Sequence, residues 1–203
     1  MKNLEELEKS LLEKVKNYYS TDGYKYHTIN HVKDLFKLYY QFRDRFLKEF
    51  PELNEEDLFE SIAWHDSVYI VGNPENEELS AYLYSLKVKD KKSIIYDAIL
   101  STKIGNTKFK NPVEKVLHDL DWSGFSDFNL LQKNEEKIFF EAISNSKFKA
   151  EVVKDNQYKF YKSLVDKDIY VTETFKEANE IARKNLQLRI KQIEKEKEDY
   201  FSL

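Results

Sequence analysis

Apolar residues recur at three- and four-residue spacing along nearly the whole chain. Leu4, Leu7, Leu11 and Val15 mark one face of a first helix, and His31, Leu35, Leu38, Phe42 and Phe46 that of a second. Residues that break helices fall between these stretches: Asp22-Gly23 closes the first and Pro51 the second. Asn54, followed by Glu55 and Glu56, reads as the N-cap of a third helix that carries Leu58, Ile62 and His65. After a loop at Gly72-Asn73-Pro74 the pattern predicts one helix from about Asn76 to Lys87 and another from about Lys91 to Thr102. The polar run KIGNTKFKNP ends at Pro112, which suits the first turn of a helix reaching Trp122. Ser126 or Asp127 caps a further helix, and two more carry the chain to about residue 165 and from about 175 to 200. No repeat and no Pro/Ser-rich linker interrupts the series, so the expectation is an all-α protein with residues 1–203 in one domain.

Composition narrows this picture without changing it. Hydrophobic residues at 41%, charged at 34% and aromatics at 15% describe a chain able to bury a core, not a disordered one. Four Gly and three Pro in 203 residues are few, which favours long helices over a barrel or sandwich. No apolar run approaches the ~18 residues of a membrane span, and the amphipathic start MKNLEELEKSLLEKVK lacks the apolar stretch of a signal peptide. A cytoplasmic protein with no membrane partner is the expectation. The net charge of −4, with no basic stripe interleaved with aromatics, argues against nucleic acid as a partner. Self-association is left open.

With no cysteine in the chain, any metal must be held by His, Asp or Glu. The four histidines each have an acidic or imidazole neighbour. His27 and His31 are four apart near the start of a helix and share a face; His65 and Asp66 are adjacent in WHDSVY, after the apolar run LFESIA; His118 and Asp121 are three apart on one face. A carboxylate within an apolar helix is costly unless something pairs with it, and a cation would do so. Imidazole and carboxylate without thiolate is a ligand set for Mn, Fe, Co or Zn.

The stretches YHTINHV (26–32), AWHDSVY (63–69), NEELSA (76–81), DLDWS (119–123), IYVTETF (169–175) and EIARKNL (180–186) resemble the HD superfamily of metal-dependent phosphohydrolases, in particular a bacterial and phage group of about this size. HDSVY followed by NEELSA is the specific part. The resemblance implies an HD-type helical bundle with its core at about 24–186, flanked by an N-terminal helix and a C-terminal helical extension. It implies a divalent metal ion, Mn first and Fe, Co, Ni, Zn or Mg as substitutes, on His31, His65, Asp66 and a final aspartate. That aspartate is Asp119 or Asp121. The step Leu120-Asp121-Trp122 favours Asp121, and Asp119, on the other side of the helix, reads as a solvated carboxylate.

The same resemblance gives the remaining candidates. His118 would support Asp121, and His27 would support the ligands or donate to phosphate. Glu77 would position the attacking water, although NEELSA also suits a capping run with Asn76 as the cap. Tyr69 would reach the site with its hydroxyl, and Lys103, with Lys108 and Lys110 behind it, would contact the substrate phosphate. The chain departs from the pattern at Gly105, where relatives often carry a further His, and in the bulk of Leu120 and Trp122. Two imidazoles and two carboxylates leave two positions open on an octahedral ion, for water and for a phosphoryl oxygen. The implied activity is hydrolysis of a phosphate ester or anhydride on a small phosphorylated molecule, a nucleotide by preference. An HD-fold module that binds nucleotide or metal without turnover is the alternative. Oxidative chemistry at two irons usually needs extra His ligands, and four histidines in all leave little to spare.

Overall fold

The computed structural model of the protein describes residues 3–19 and 22–201, with side chains described as far as Glu196. The described residues form helices joined by turns and irregular segments, without a strand. The α-helices are α1 (Leu4–Val15), α2 (Ile29–Glu49), α3 (Glu55–Trp64), α4 (Asn76–Lys87), α5 (Ser93–Ser101), α6 (Pro112–Asp121), α7 (Phe128–Asn145), α8 (Ala150–Leu164) and α9 (Ala178–Phe201). Short 3-10 turns follow α1 and α6 and precede α9. The acidic end of the C-terminal run KQIEKEKEDY, from Lys197 on, lies outside the described side chains.

Local chemistry accounts for the helix starts. Asn54 Oδ1 accepts from the Glu56 and Asp57 amides at 3.0 and 3.2 Å, as expected of an N-cap with an acidic first turn. Asn111 caps α6 through the Glu114 amide, ahead of Pro112 at the first helical position. Of the two candidates before α7, Asp127 is the cap and accepts from Leu130 at 3.0 Å. Asn76 is not a cap. Glu75 holds that position without a side-chain bond.

The apolar run LFESIAW explains where the core sits. Leu58, Phe59, Ile62, Ala63 and Trp64 are all fully buried, so α3 is the central helix, covered by α1, α2, α5 and α6. α4 packs on α5, while α7, α8 and α9 form a second group joined to the first through the 3-10 turn after α6. Apolar residues of both groups form one continuous core, from Leu11 and Val15 to Leu186 and Ile190.

Two parts of the chain differ from the helical pattern of the sequence. His65 is not inside α3 but caps its C-terminus, so WHDSVY turns out of the helix rather than continuing it. His27 precedes α2, in an irregular segment, so it does not share a helix face with His31. The segment IYVTETF is irregular up to its 3-10 turn and is held by three side chains from elsewhere. Asn179 Oδ1 accepts from the Ile169 and Tyr170 amides at 2.6 and 2.8 Å. Asp119 accepts from the Val171 and Thr172 amides and the Thr172 hydroxyl at 2.9, 2.9 and 2.6 Å. Glu49 accepts from the Glu173 and Thr174 amides at 2.8 Å each.

Candidate metal centre

Three helix ends meet at one place. His31 stands in the first turn of α2, His65 and Asp66 follow the end of α3, and Asp121 is the last residue of α6. One ligand atom from each of the four lies within 4.8 Å of the other three, and among the described residues this is the only such group. His31 Nε2 is 3.0 Å from Asp121 Oδ1 and 3.9 Å from Asp66 Oδ2. His65 Nε2 is 3.1 Å from Asp66 Oδ2 and 3.7 Å from Asp121 Oδ1. Donors each ~2.1 Å from one ion are about 3 Å apart when adjacent and about 4.2 Å when opposite. The observed separations fit that range. The C-termini of α3 and α6 end here and favour a cation, which the N-terminus of α2 at the same point offsets in part.

His65 supplies the sharpest indication of what the centre is for. Its Nδ1 donates to the Ile62 carbonyl at 2.8 Å, and a carbonyl only accepts, so Nδ1 carries the proton of the neutral ring. Nε2 then presents a lone pair, is buried, and makes no hydrogen bond. Facing it are the two carboxylates of Asp66 and Asp121. Lone pair opposed to anion is repulsive unless a cation or a proton lies between. Without a metal the proton answers: burial disfavours the charged ring, but Asp66 and Asp121 overcome this and hold His65 well above the usual histidine range. Burial likewise opposes ionisation of Asp121, and His31 and His65 hold it far below the usual carboxylate range. Asp66 is lowered against its own burial, by His65 first. Two imidazoles and two ionised carboxylates around a buried, unpartnered nitrogen suit a divalent ion.

The residues around this group hold its four side chains in place. Tyr19 donates to the Ala63 carbonyl at 3.0 Å and accepts from the Asp66 amide at 3.3 Å, which fixes the turn carrying the HD pair. The Tyr26 ring packs on the His31 ring, with centroids 4.7 Å apart. The NEELSA stretch clasps the loop that follows Asp66. Asn76 accepts from the Ile70 amide at 2.9 Å and donates to its carbonyl at 3.0 Å, while the Ser80 hydroxyl bonds both the amide and the carbonyl of Val68.

The other expected site residues divide. His27 and Tyr69 line a cavity of about 400 Å³ that also exposes Asp66, Asp121 and Glu77. The rings of His27 and Tyr69 are stacked, 12° from parallel with centroids 3.3 Å apart. The Glu77 carboxyl is raised, by burial first and then by the nearby Asp66 charge. Lys103 does not line the cavity, and its ammonium is ion-paired with Glu78. His118 is a core residue: Nε2 donates to the Ile169 carbonyl at 2.9 Å, and the ring packs between Phe109 and Trp122. Burial lowers its basicity, so it is a neutral ring that takes no part in the metal group. Asp119 is fully buried rather than solvated, and its carboxylate is saturated by Val171 and Thr172. Of the two aspartates of DLDWS, Asp121 is the one in the centre.

One residue of the site was not among the sequence candidates. Glu141 on α7 is buried and bonds His27 Nδ1 at 2.7 Å through one oxygen. Its other oxygen takes the backbone amides of Lys25, Tyr26 and His27. Burial pushes the Glu141 carboxyl up, but His27 and these amides together hold it below its ordinary value. The signal for it is a lone carboxylate inside the apolar run IFFEAI, the same signal that singles out Asp66. No protein-family model, curated protein or solved structure matches the chain.

Proposed function

We propose that this chain is a metal-dependent phosphohydrolase that cleaves a phosphate ester or anhydride, with a nucleotide as the preferred class of substrate and Mn²⁺ as the preferred ion. The observation that carries the reading is the convergence of His31, His65, Asp66 and Asp121 at the edge of a cavity, with His65 Nε2 buried and facing both carboxylates. The same four residues are those that the HD resemblance singles out. A divalent ion on these four side chains supplies a Lewis acid that orients and polarises a phosphoryl group and acidifies water.

The chain's own side chains complete the chemistry. Two carboxylates offset the charge of one divalent ion, so an anionic substrate meets little net repulsion at the ligands. Glu77, half-buried on the cavity wall with a raised carboxyl, is suited to hold a water and take its proton. His27 has its Nδ1–H committed to Glu141, a carboxylate that can only accept, which leaves Nε2 as the free ring nitrogen. In the imidazolium form, with Nδ1–H held by Glu141, the Nε2–H would donate to a phosphoryl oxygen or pass its proton to the leaving group; in the neutral form Nε2 would accept from a water. Stacking on Tyr69 keeps the ring from rotating away.

The test is a panel of nucleoside mono-, di- and triphosphates with the Mn²⁺-loaded protein, followed by release of phosphate or pyrophosphate. Turnover that disappears on chelation and returns with Mn²⁺, and that falls by about two orders of magnitude in Glu77→Gln, is expected. Stoichiometric metal with no turnover on any substrate would reassign the chain to a binding module.

A further inference from the structure

The centre stands between two cavities of opposite character. Tyr26, Asp121, Gly124 and Asn134 line both, so both reach the same carboxylate. Asp66 faces only the first, of about 400 Å³, and His31 only the second, of about 490 Å³. The second has a larger polar share and is edged by Lys25, Lys37 and Lys137, with Asp34 among them. The first is walled by rings, among them Tyr69, Trp122, Phe125, Phe139, Phe160 and Tyr161.

The charges in the ring-walled cavity set what can enter it. Asp66, Glu77, Asp121 and Glu135 line it, and no lysine or arginine does. Glu135 is already neutralised from outside by a two-point ion pair with Arg189, at 2.7 Å for each contact. A second anionic group placed among the rings, away from His27, would be desolvated against carboxylates with no lysine or arginine to receive it. An uncharged planar group would instead gain apolar and stacking contact on several sides. At the inner junction stands Asn134, whose amide makes no side-chain hydrogen bond among the described residues. It approaches Gly124 so closely that a Cβ at that position would lie 2.7 Å from Asn134 Nδ2. An amide so placed offers both a donor and an acceptor to the edge of a ring.

Resting on the phosphohydrolase reading, we infer that the substrate is a phosphoester whose organic part is an uncharged, ring-bearing group seated in the aromatic cavity. The scissile phosphate lies at Asp66 and Asp121, and any further anionic group is directed to the lysine-edged side. In the cleavage step the P–O bond to the ring-bearing alcohol breaks, the water oxygen bonds to phosphorus, and the alcohol oxygen leaves with a proton. The alcohol departs through the aromatic cavity and inorganic phosphate through the polar one.

Direct binding tests the assignment without relying on turnover. With the Mn²⁺-loaded protein, calorimetry should rank 1-naphthyl phosphate at least about tenfold tighter than glycerol 3-phosphate. A naphthyl phosphate carrying a carboxylate on the distal ring should lose most of that advantage. Phe160→Ala should weaken 1-naphthyl phosphate about tenfold and leave inorganic phosphate unchanged, with metal content retained. Phe148→Ala, at a half-exposed lining position outside the continuous core, should act in the same direction if Phe160→Ala does not fold. Equal affinity for the naphthyl and glycerol esters, or an unaltered preference in the folded variants, overturns the inference. A preserved preference with no phosphate released would instead sink the hydrolase reading and leave the cavity assignment standing.

Discussion

His27 and Glu141, 114 residues apart, are joined at 2.7 Å, a contact that helps tie the segment before α2 to α7 beside the His/Asp group. Glu141 accepts four hydrogen bonds in all, one from the ring and three from the amides of residues 25–27. The segment carries Tyr26, which packs on His31, so the position of a ligand depends on a glutamate with no direct contact to it.

Glu141→Ala is therefore expected to leave three backbone N–H groups and one imidazole N–H unpartnered. At about 1 kcal/mol or more for each buried group the loss of stability should reach ~3 kcal/mol or more in urea unfolding. Glu141→Gln keeps an oxygen for the amides but turns an N–H₂ toward His27, and should cost about half as much. Metal affinity should fall in both, since Tyr26 no longer holds His31. Unchanged stability in Glu141→Ala would mean that water replaces the carboxylate, and that the segment is not held by it.

Asp119 and Asp121 should separate cleanly on mutation. Asp119→Ala removes the acceptor for Val171 and Thr172 and should destabilise by ~3 kcal/mol with metal stoichiometry unchanged. Asp121→Ala removes a ligand and the partner of His31 Nε2, and should abolish stoichiometric metal binding; the metal-free protein should also lose stability, because a carboxylate held ionised by His31 and His65 contributes to folding near neutral pH. Metal content by elemental analysis and thermal melting on the same samples decide this. The reverse pattern would return the last ligand to Asp119.

The contrast between these two residues also shows what can be read from the chain. Caps such as Asn54 and Asp127, the helix order and the start of α6 at Pro112 follow from neighbours within a few positions, and so were legible. His31, His65, Asp66 and Asp121 were legible through motif, and their meeting agrees with it. What escaped depends on contacts across the chain. Asp119 faces away from Asp121 as helix geometry requires, but the irregular segment at 169–172 covers that face and makes it core. His118 does share a side of α6 with Asp121, yet the same segment offers it the Ile169 carbonyl and aromatic rings close around it. The partnership of Glu141 with residues 25–27 has no local trace at all.

Metal binding should be linked to protons, with a sign set by His65. In the metal-free protein Asp66 and Asp121 raise its basicity against the effect of burial, so near neutral pH the ring is protonated and an ion must displace that proton. Affinity should accordingly rise with pH, by about tenfold per unit for each proton released, and level off above the raised value. Calorimetry of Mn²⁺ binding at pH 7 in two buffers of different ionisation enthalpy should show about one proton released per ion. An identical heat in both buffers would mean that His65 is already neutral and that the opposition of its Nε2 to the carboxylates is relieved in some other way.

Asp66→Ala asks whether WHDSVY is a ligand motif or a packing motif. The apolar part of α3 does not need the carboxylate: Leu58, Ile62 and Trp64 are fully buried against neighbouring helices. The turn itself is held by Tyr19 at the Asp66 amide, which the substitution keeps. Removing the side chain takes away one of four ligands and one of two charges that offset the ion, so metal should be lost and hydrolysis should fall by several orders of magnitude. The metal-free variant should melt within a few degrees of the metal-free wild type. Added Mn²⁺ should raise the melting temperature of the wild type, because an ion that binds only the folded state stabilises it by mass action, and should leave that of the variant where it was. A variant that melts far lower yet retains a full equivalent of metal would make Asp66 a structural carboxylate and remove the HD pair from the centre.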